Sequence, residues 1–390
     1  MKKRKINRER LKDTFIKLAE IDSPSRQESE LALFVAEVYR SELDAQVLFD
    51  DSTIETGSNT GNMVVRLEGT KESSPLFFNA HLDTVEPCRS VKVVFSNGIF
   101  RSKGNTILGA DDKAAIAAMI EAARVLKEQN VEHGPLEFLF TVCEEIGLLG
   151  AKALDPAFLE AESGYALDST DIDKLFNKAP AAVRTEIRVF GKAAHAGISP
   201  ESGINAIKLA AQALAKIPQG RIDEDTTCNT GIIHGGTATN IVPDLVEIKG
   251  EVRSHDEKKL KKVQDEIMSA FHHVVMEYRA KKGSAKAPTP TLPRVESEVF
   301  NDYPLMNVPE DHPLVLTAKE SALQLGRSIE AVATGGGSDA NILNSKGKTT
   351  VILGIGMQKV HSTEEYISLD DMAATAELVL QIIQNWDKTG

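Results

Sequence analysis

The stretch LEFLFTVCEEIGLLG, Leu136–Gly150, decides how this chain is read. Six of the eight residues from Leu136 to Cys143 are apolar, and two glutamates follow side by side. A short apolar run that stops abruptly is the pattern of a strand buried in a sheet. Glu144 and Glu145 therefore stand where the chain leaves that sheet. A solvated turn accepts paired carboxylates, and so does a metal site with a general base beside it.

Outward from this strand the chain alternates. GNMVVRLEG and PLFFNAHLD are β-rich, and DKAAIAAMIEAARVLKEQ carries helical spacing through Ile116, Met119, Ile120, Ala123 and Leu126. Apolar strands alternating with amphipathic helices predict an α/β domain with a largely parallel sheet sandwiched by helices. From about Ala179 the rhythm changes. AVRTEIRVFG alternates polar and apolar residues, then come GINAIKLAAQALAKI, CNTGIIHGG, DLVEIKGEVRS and the charged helix DEKKLKKVQDEIMSAFHHVVMEYRAKK. That order predicts an inserted, smaller α+β domain of ferredoxin-like character, its antiparallel sheet covered on one face. The tract KKGSAKAPTPTLP reads as a loop. HPLVLTAKESALQLG, KTTVILGIG and LDDMAATAELVLQIIQNW then resume the first pattern. The expected domains are 1–177 and 305–390, catalytic, with 178–304 inserted between them.

Composition narrows the class. The chain has 390 residues, 42% hydrophobic and 26% charged, which is globular usage. Lys+Arg 45 against Asp+Glu 57 leaves a net charge of −12, which argues against nucleic acid as a partner. Three scattered cysteines, Cys88, Cys143 and Cys228, make neither a disulfide framework nor a Cys-type zinc site. No run approaches the roughly 18 apolar residues of a membrane span. The basic start MKKRKINRER lacks a following apolar region and leads into a first helix, RERLKDTFIKLAEI. A cytoplasmic location is expected.

Ligand-type side chains recur at the ends of apolar strands: His81 and Asp83, Glu144 and Glu145, Asp168, and His361 in the loop after TTVILGIG. Asp111 and Asp112 open a helix. Each alone has a plain structural explanation, such as acid at the positive end of a helix dipole for GADDK. Together they fall where open α/β sheets bind ligands, beyond the carboxyl ends of the strands. Two histidines with several carboxylates suit zinc, with manganese or cobalt serving the same ligand field.

HLDTVEP, GADDKAA, CEEIGLLGAKAL, ALDST, GKAAHAGISPESGINAI, GGTATNIVPD, EVRSHD, GGGSDANIL and HSTEEYI occur here in the order of a known family. The chain resembles the dinuclear zinc exopeptidases related to glutamate carboxypeptidase and aminoacylase, specifically their peptidase T-like, tripeptide aminopeptidase branch, over nearly its whole length. The resemblance implies two divalent ions held by His81, Asp111 (bridging), Glu145, Asp168 and His361. Asp83 would hydrogen-bond the other ring nitrogen of His81. Glu144 would be the general base toward a water held between the metals, acidified toward a pKa of roughly 7. One metal would stabilise the oxyanion.

The resemblance also implies that the inserted domain is a lid and dimerisation domain. Its His195 would reach the partner subunit's active site, while Asn240 and Arg253 would grip a substrate carboxylate, Arg with its two-pronged donors. The glycine run Thr334–Asn341 would bring backbone N–H groups to substrate. His133, His234, His255, His272, His273 and His312 match no motif. Cys88 stands where the family commonly has glycine, which puts the shape of that loop in question. The implied activity is removal of the N-terminal residue from short peptides. N-acyl amino acid hydrolysis and carboxypeptidase or dipeptidase action remain alternatives on the same di-zinc site, and a non-catalytic binding protein is disfavoured because every ligand type and the base are present.

Overall fold

Apolar spacing sets the first elements of the computed structural model, which describes residues 5–281 and 292–386. Helix α1 (Arg8–Ala19) is capped by Asn7, whose side chain accepts from the Arg10 N–H, and it buries Leu11, Phe15 and Leu18 on one stripe. Helix α2 (Ser29–Leu43) ends at Asp44 in the left-handed conformation. Strand β1 (Gln46–Phe49), the single turn α3 (Thr53–Thr56) and strand β2 (Met63–Leu67) follow. Strand β3 (Leu76–His81) is buried at every position. After β4 (Val93–Ser96) and β5 (Ile99–Ser102) comes the long helix α4 (Ala110–Glu128). The apolar run before the paired glutamates then forms β6 (Leu136–Thr141), also buried at every position. Short α5 (Leu149–Ala153) and strands β7 (Ser163–Ala166) and β8 (Lys174–Ala179) complete this part.

The chain next builds β9 (Ala181–Phe190), α6 (Ala206–Leu214), β10 (Gly220–Arg221), β11 (Thr226–Gly235), β12 (Leu245–Ser254), α7 (Glu257–Lys281) and β13 (Arg294–Tyr303). It closes with β14 (Met306–Asn307), α8 (Pro313–Gln324), β15 (Glu330–Ala333), α9 (Asp339–Ser345), β16 (Thr349–Leu353), β17 (Tyr366–Ser368) and α10 (Leu369–Asn385). The chain divides into two units, one made of residues up to Ala179 with those from Met306, the other of Pro180–Leu305. Most of the tract 281–293, expected as a loop, lies outside the described residues.

In the first unit the main sheet runs β1-β2-β6-β3-β7-β16-β8-β14, with β15 beside β8. The sheet is mixed: β6, β3, β7 and β16 are mutually parallel, and the β1–β2, β2–β6, β16–β8 and β8–β14 pairs are antiparallel. The parallel centre is what places the site. His81 pairs with Thr141 and Asn79 with Ala166, so β3, β6 and β7 end almost level and deliver the next residues of all three to one edge. Both faces are covered. Tyr39, Phe138, Phe78 and Tyr165 form a ladder with ring centroids 5.3, 6.0 and 5.7 Å apart on one side. Phe77, Leu139, Val64 and Leu343 fill the other. Gly164 is required there, since a Cβ would lie 2.4 Å from the Phe77 ring. Two covered faces explain why these strands read as continuous apolar runs.

The second unit is a five-stranded antiparallel sheet, β10-β11-β12-β9-β13, with α6 and α7 packed on one face. Val183, Ile187 and Val189 of β9 point into that core while Arg184 and Arg188 are exposed, the alternation legible in AVRTEIRVFG. Edge strand β13 is exposed at six consecutive positions. Its charged sequence RVESEVFNDY carries no apolar period from which a strand could be predicted.

Candidate metal centre

The level strand ends bring four predicted ligands together. Gly109, at φ +77°, turns the chain into α4, and Asp111 (φ −79°, ψ 103°) and Asp112 (φ −119°, ψ 19°) stay out of helical geometry, joined by a cis peptide. Their side chains diverge. Asp111 Oδ1 lies 3.0 Å from His81 Nε2 and its Oδ2 lies 3.3 Å from His361 Nε2. Asp112 Oδ2 instead accepts from the His81 backbone N–H at 3.1 Å. His361 Nε2 is also 3.0 Å from Glu145 Oε2. Ligand atoms of His81, Asp111 and Glu145 all lie within 4.8 Å of one another. The side chains of His81, Asp111 and Glu145 are 2%, 8% and 5% exposed, whereas that of His361, on a left-handed backbone, is 53% exposed. Asp168 follows β7 by two residues, where the Leu167 N–H bonds Asn79 of β3, and it is half-buried.

Beneath this cluster a second set of acids holds the backbone. The Asp83 carboxylate, fully buried, accepts from the Glu144 N–H at 2.9 Å, the Glu145 N–H at 3.2 Å and Ser25 Oγ at 2.6 Å. With its oxygens so occupied it is not the nearest acceptor for the histidine. His81 Nδ1 lies 2.9 Å from the Asp83 carbonyl oxygen and 3.6 Å from the carboxylate. The expected His81–Asp83 bond thus runs mainly to the main chain. Cys143 takes a left-handed turn (φ 54°) just before the glutamates, and its N–H donates to Glu28 Oε1 at 3.0 Å. Glu28 also accepts from the Arg26 N–H and from Ser58 Oγ. Cys88 turns its Sγ toward the Thr84 carbonyl and Glu86, not into the cluster. Ser25, Glu28 and Glu365 were not among the residues predicted from sequence, for they act through backbone N–H groups and buried polar partners and leave no paired residue type. Ser25 and Glu28 lie in the run SPSRQE, and Glu365 in the motif HSTEEYI, where the resemblance gives only His361 a role.

The electrostatics are those of acids short of cations. Burial pushes Glu144 and Asp168 well above the ordinary carboxylate range and raises Glu145. Burial also raises Asp339, at the start of α9, to about 6. Burial opposes the charge on Asp111 too, but hydrogen bonds with His361 and His81 overcome it and hold that carboxyl below its usual value. The same contacts with Asp111 and Glu145 raise His361 to about 10. His81 is raised in spite of its burial, by Asp111 and Asp83. Glu145 Oε1, Asp112 Oδ1 and Asp339 Oδ1 are buried with no hydrogen-bond partner among the described residues.

The model of the peptidase family M20/M25/M40 matches residues 77–385, a span that contains every side chain of this cluster and its supports except Ser25, Glu28 and Ser58. The chain belongs to this family. Over 380 residues it is 41% identical to the uncharacterized protein YqjE of Bacillus subtilis, covering 97% of this chain and 99% of that one. The crystal structure of aminopeptidase PepT from Bacillus cereus is 40% identical with a TM-score of 0.89, covering 98% of this chain and 99% of the other. That of a tripeptidase from Staphylococcus aureus is 37% identical with a TM-score of 0.91 and the same coverage. The chain is therefore a peptidase of the peptidase T-like type.

The remaining predicted residues of this M20 peptidase belong to its second unit. His195 and Asn240 are exposed and lie on adjoining segments: His195 bridges to Ile241, and the Ala196 N–H donates to the Asn240 carbonyl at 2.8 Å. His195 Nδ1 accepts from the Gly197 N–H at 3.2 Å. Arg253, half-buried on β12, presents Nε and a terminal nitrogen to both carboxylate oxygens of Glu251, each at 3.0 Å. Glu251 thus fills the two-pronged geometry expected for a substrate carboxylate. In the glycine run, a Cβ at Gly335 or Gly336 would meet open space, so neither glycine is required by packing. No helix of the described residues is long and apolar enough to cross a membrane.

Proposed function

We propose that this M20 peptidase removes the N-terminal residue of short peptides, tripeptides foremost, at a centre of two divalent metal ions. Zinc suits the mixed nitrogen and oxygen donors best, with manganese or cobalt as substitutes. The observation that carries the reading is the convergence of His81, Asp111, Glu145 and His361 from four separate segments, with buried acids whose nearest countercharges are histidines. The donor set fits a cation. Buried carboxylates require a positive partner, and Glu145 Oε1 is buried with no hydrogen bond among the described residues. His81, Asp111, Glu145, Asp168 and His361 would hold the ions, which when bound supply Lewis acidity to a peptide carbonyl and acidify water.

The chain's own residues do the rest. Glu144, not engaged by His361, takes the proton of the attacking water and returns it to the departing amine. Without metal, burial among other acids holds the Glu144 carboxyl well above the ordinary range, because the charged form is disfavoured there. Asp83 serves that step indirectly, fixing the two N–H groups that set the directions of Glu144 and Glu145. In the second unit Asn240 is assigned to the substrate carboxylate, with Arg253 joining it only by exchanging its Glu251 partner, and His195 to the oxyanion of a partner subunit. Ile198, Ile207, Ile232, Ile233 and Ile241, all exposed in that unit, favour a homodimer formed through it. Three cysteines, all buried and unpaired, accord with a cytoplasmic location.

The similarity to an aminopeptidase and a tripeptidase at 40% and 37% identity directs the substrate choice toward a free N-terminus. Assays of Ala-Ala-Ala against its N-acetyl form, with added zinc, manganese or cobalt, test it. Release of free alanine from the unblocked peptide alone is expected. Cleavage confined to the blocked peptide would replace the reading with N-acyl amino acid hydrolysis.

A further inference from the structure

Helix α4 begins without a cap of its own. Its N-cap is Gly109, which has no side chain, and the next two acids are committed elsewhere, Asp111 to the two histidines and Asp112 to the His81 N–H. Buried backbone N–H groups in the non-helical turn Gly109–Asp112 need acceptors from outside it. Glu365 provides them: Oε2 accepts from the Gly109 N–H at 2.8 Å and Oε1 from the Asp111 N–H at 3.0 Å. This side chain arrives from 254 residues further along the chain and is 1% exposed. It belongs to the turn that carries His361, since the Glu365 N–H donates to the Ser362 carbonyl at 3.0 Å.

One carboxylate therefore ties the Asp111 turn directly to the His361 loop, beside the pairing of β17 with β5. We propose that Glu365 is a positioning residue that ties down the non-helical turn leading into α4 and thereby registers Asp111 against His361 as a ligand pair. Two N–H groups of one loop gripped by both oxygens of one carboxylate fix distance and direction together, which a single bond does not. Without the strap, the Asp111 turn is held to the His361 loop only through the neighbouring β17–β5 pairing and α10–α4 packing, and the 3.3 Å Asp111–His361 approach loses its direct support. The inference rests on the reading of Asp111 and His361 as metal ligands.

Glu365→Gln and Glu365→Asp test it. The amide keeps the size but offers one acceptor and turns an N–H2 toward the second N–H; the aspartate keeps both acceptors on a shorter stem. Metal-free wild type, both variants, Asp111→Asn and His361→Ala are titrated with Zn2+ alone and Co2+ alone, and the visible Co2+ spectrum is recorded. Glu365→Gln is expected to bind either ion about 10–100-fold more weakly, with an altered Co2+ spectrum and a lower kcat at a KM within about twofold of wild type. Glu365→Asp should recover part of both losses. Wild-type affinity and spectrum in the folded glutamine and aspartate variants would overturn the proposal, even with a lowered Tm, because that is a structural role alone. If the glutamine variant does not fold, the aspartate variant decides by the same criterion. Wild-type metal affinity in Asp111→Asn and His361→Ala would instead overturn the ligand reading itself.

Discussion

On the face of the second unit's sheet turned away from α6 and α7, Lys249 lies 3.0 Å from Glu186, Arg188 lies 3.5 Å from Glu247 and Arg253 lies 3.0 Å from Glu251. At the ends of β3, β6 and β7, Asp83, Asp111, Asp112, Glu144, Glu145 and Asp168 gather with two histidines and no comparable set of cationic partners among the described residues. Both regions are dense in charge. The first alternates sign across neighbouring strands and stays largely in water, so each pair needs little from the fold. The second concentrates one sign in a largely buried edge, where hydrogen bonds from backbone N–H groups, the Ser25 hydroxyl and histidines offset it. Surplus buried charge of one sign marks the place where the protein expects something from outside.

Four experiments press on that contrast. Glu144→Gln should lower kcat by about 10²–10⁴-fold while metal content stays at the wild-type level. Activity unchanged by the substitution would remove Glu144 from the proton transfer. A smaller effect concerns pH in the metal-free protein. Burial raises Asp339 to about 6 and Glu365 to about 7, so between the ordinary carboxylate range and those values the folded state binds more protons than the unfolded one. Stability must then fall as pH rises through that window, by up to about 1.4 kcal/mol for each pH unit crossed and for each group. His361, raised to about 10 chiefly by its hydrogen bonds with Asp111 and Glu145, adds a loss of the same sign from about pH 6.5 upward. A thermal midpoint that climbs steadily from about pH 5 to about pH 7.5 in the presence of chelator contradicts that sign.

Adding Zn2+ should reverse much of that loss. At 100 times its Kd the ion stabilises the fold by about 2.7 kcal/mol, read as a concentration-dependent rise in Tm; an unmoved Tm would leave the buried acids without their expected partner. The smallest effect belongs to the other region. Lys249→Ala, which breaks a half-exposed pair with Glu186, should change unfolding free energy by less than about 1 kcal/mol, measured by urea midpoint. A larger loss would mean that the exposed ladder carries more of the fold than its geometry suggests.

Much of the candidate site was legible in the order of residues and the family resemblance that order carries. His81, Asp111, Glu144, Glu145, Asp168 and His361 each follow a strand or open a helix, and the ligand chemistry of their side chains is written in their identity. The supports beneath them were not. Ser25 and Glu28 precede or open a helix like ordinary polar surface residues, and Glu365, though inside the motif HSTEEYI, follows another glutamate with nothing local to tell the two apart. All three bond to Asp83, to backbone N–H groups or to buried hydroxyls that no local pattern announces. The family resemblance implied a bond from the Asp83 carboxylate to the His81 ring, whereas Ser25, Glu144 and Glu145 take up that carboxylate. Strand β13 escaped because it is an edge, and an edge strand facing water on most positions carries no apolar period to detect.

The sequence by itself determined the fully buried centre of the sheet, the amphipathic helices and the types of side chain available at the strand ends, because those follow from the spacing of apolar residues and the donors each residue owns. Only the tertiary structure decided which acid bonds histidine and which bonds backbone, how Asp111 and Asp112 part company, and that Glu365 closes the start of α4 from across the chain. Those outcomes depend on the level ends of β3, β6 and β7 and on backbone groups left without partners. Both are properties of chain segments brought together in space, which no local run of residues encodes.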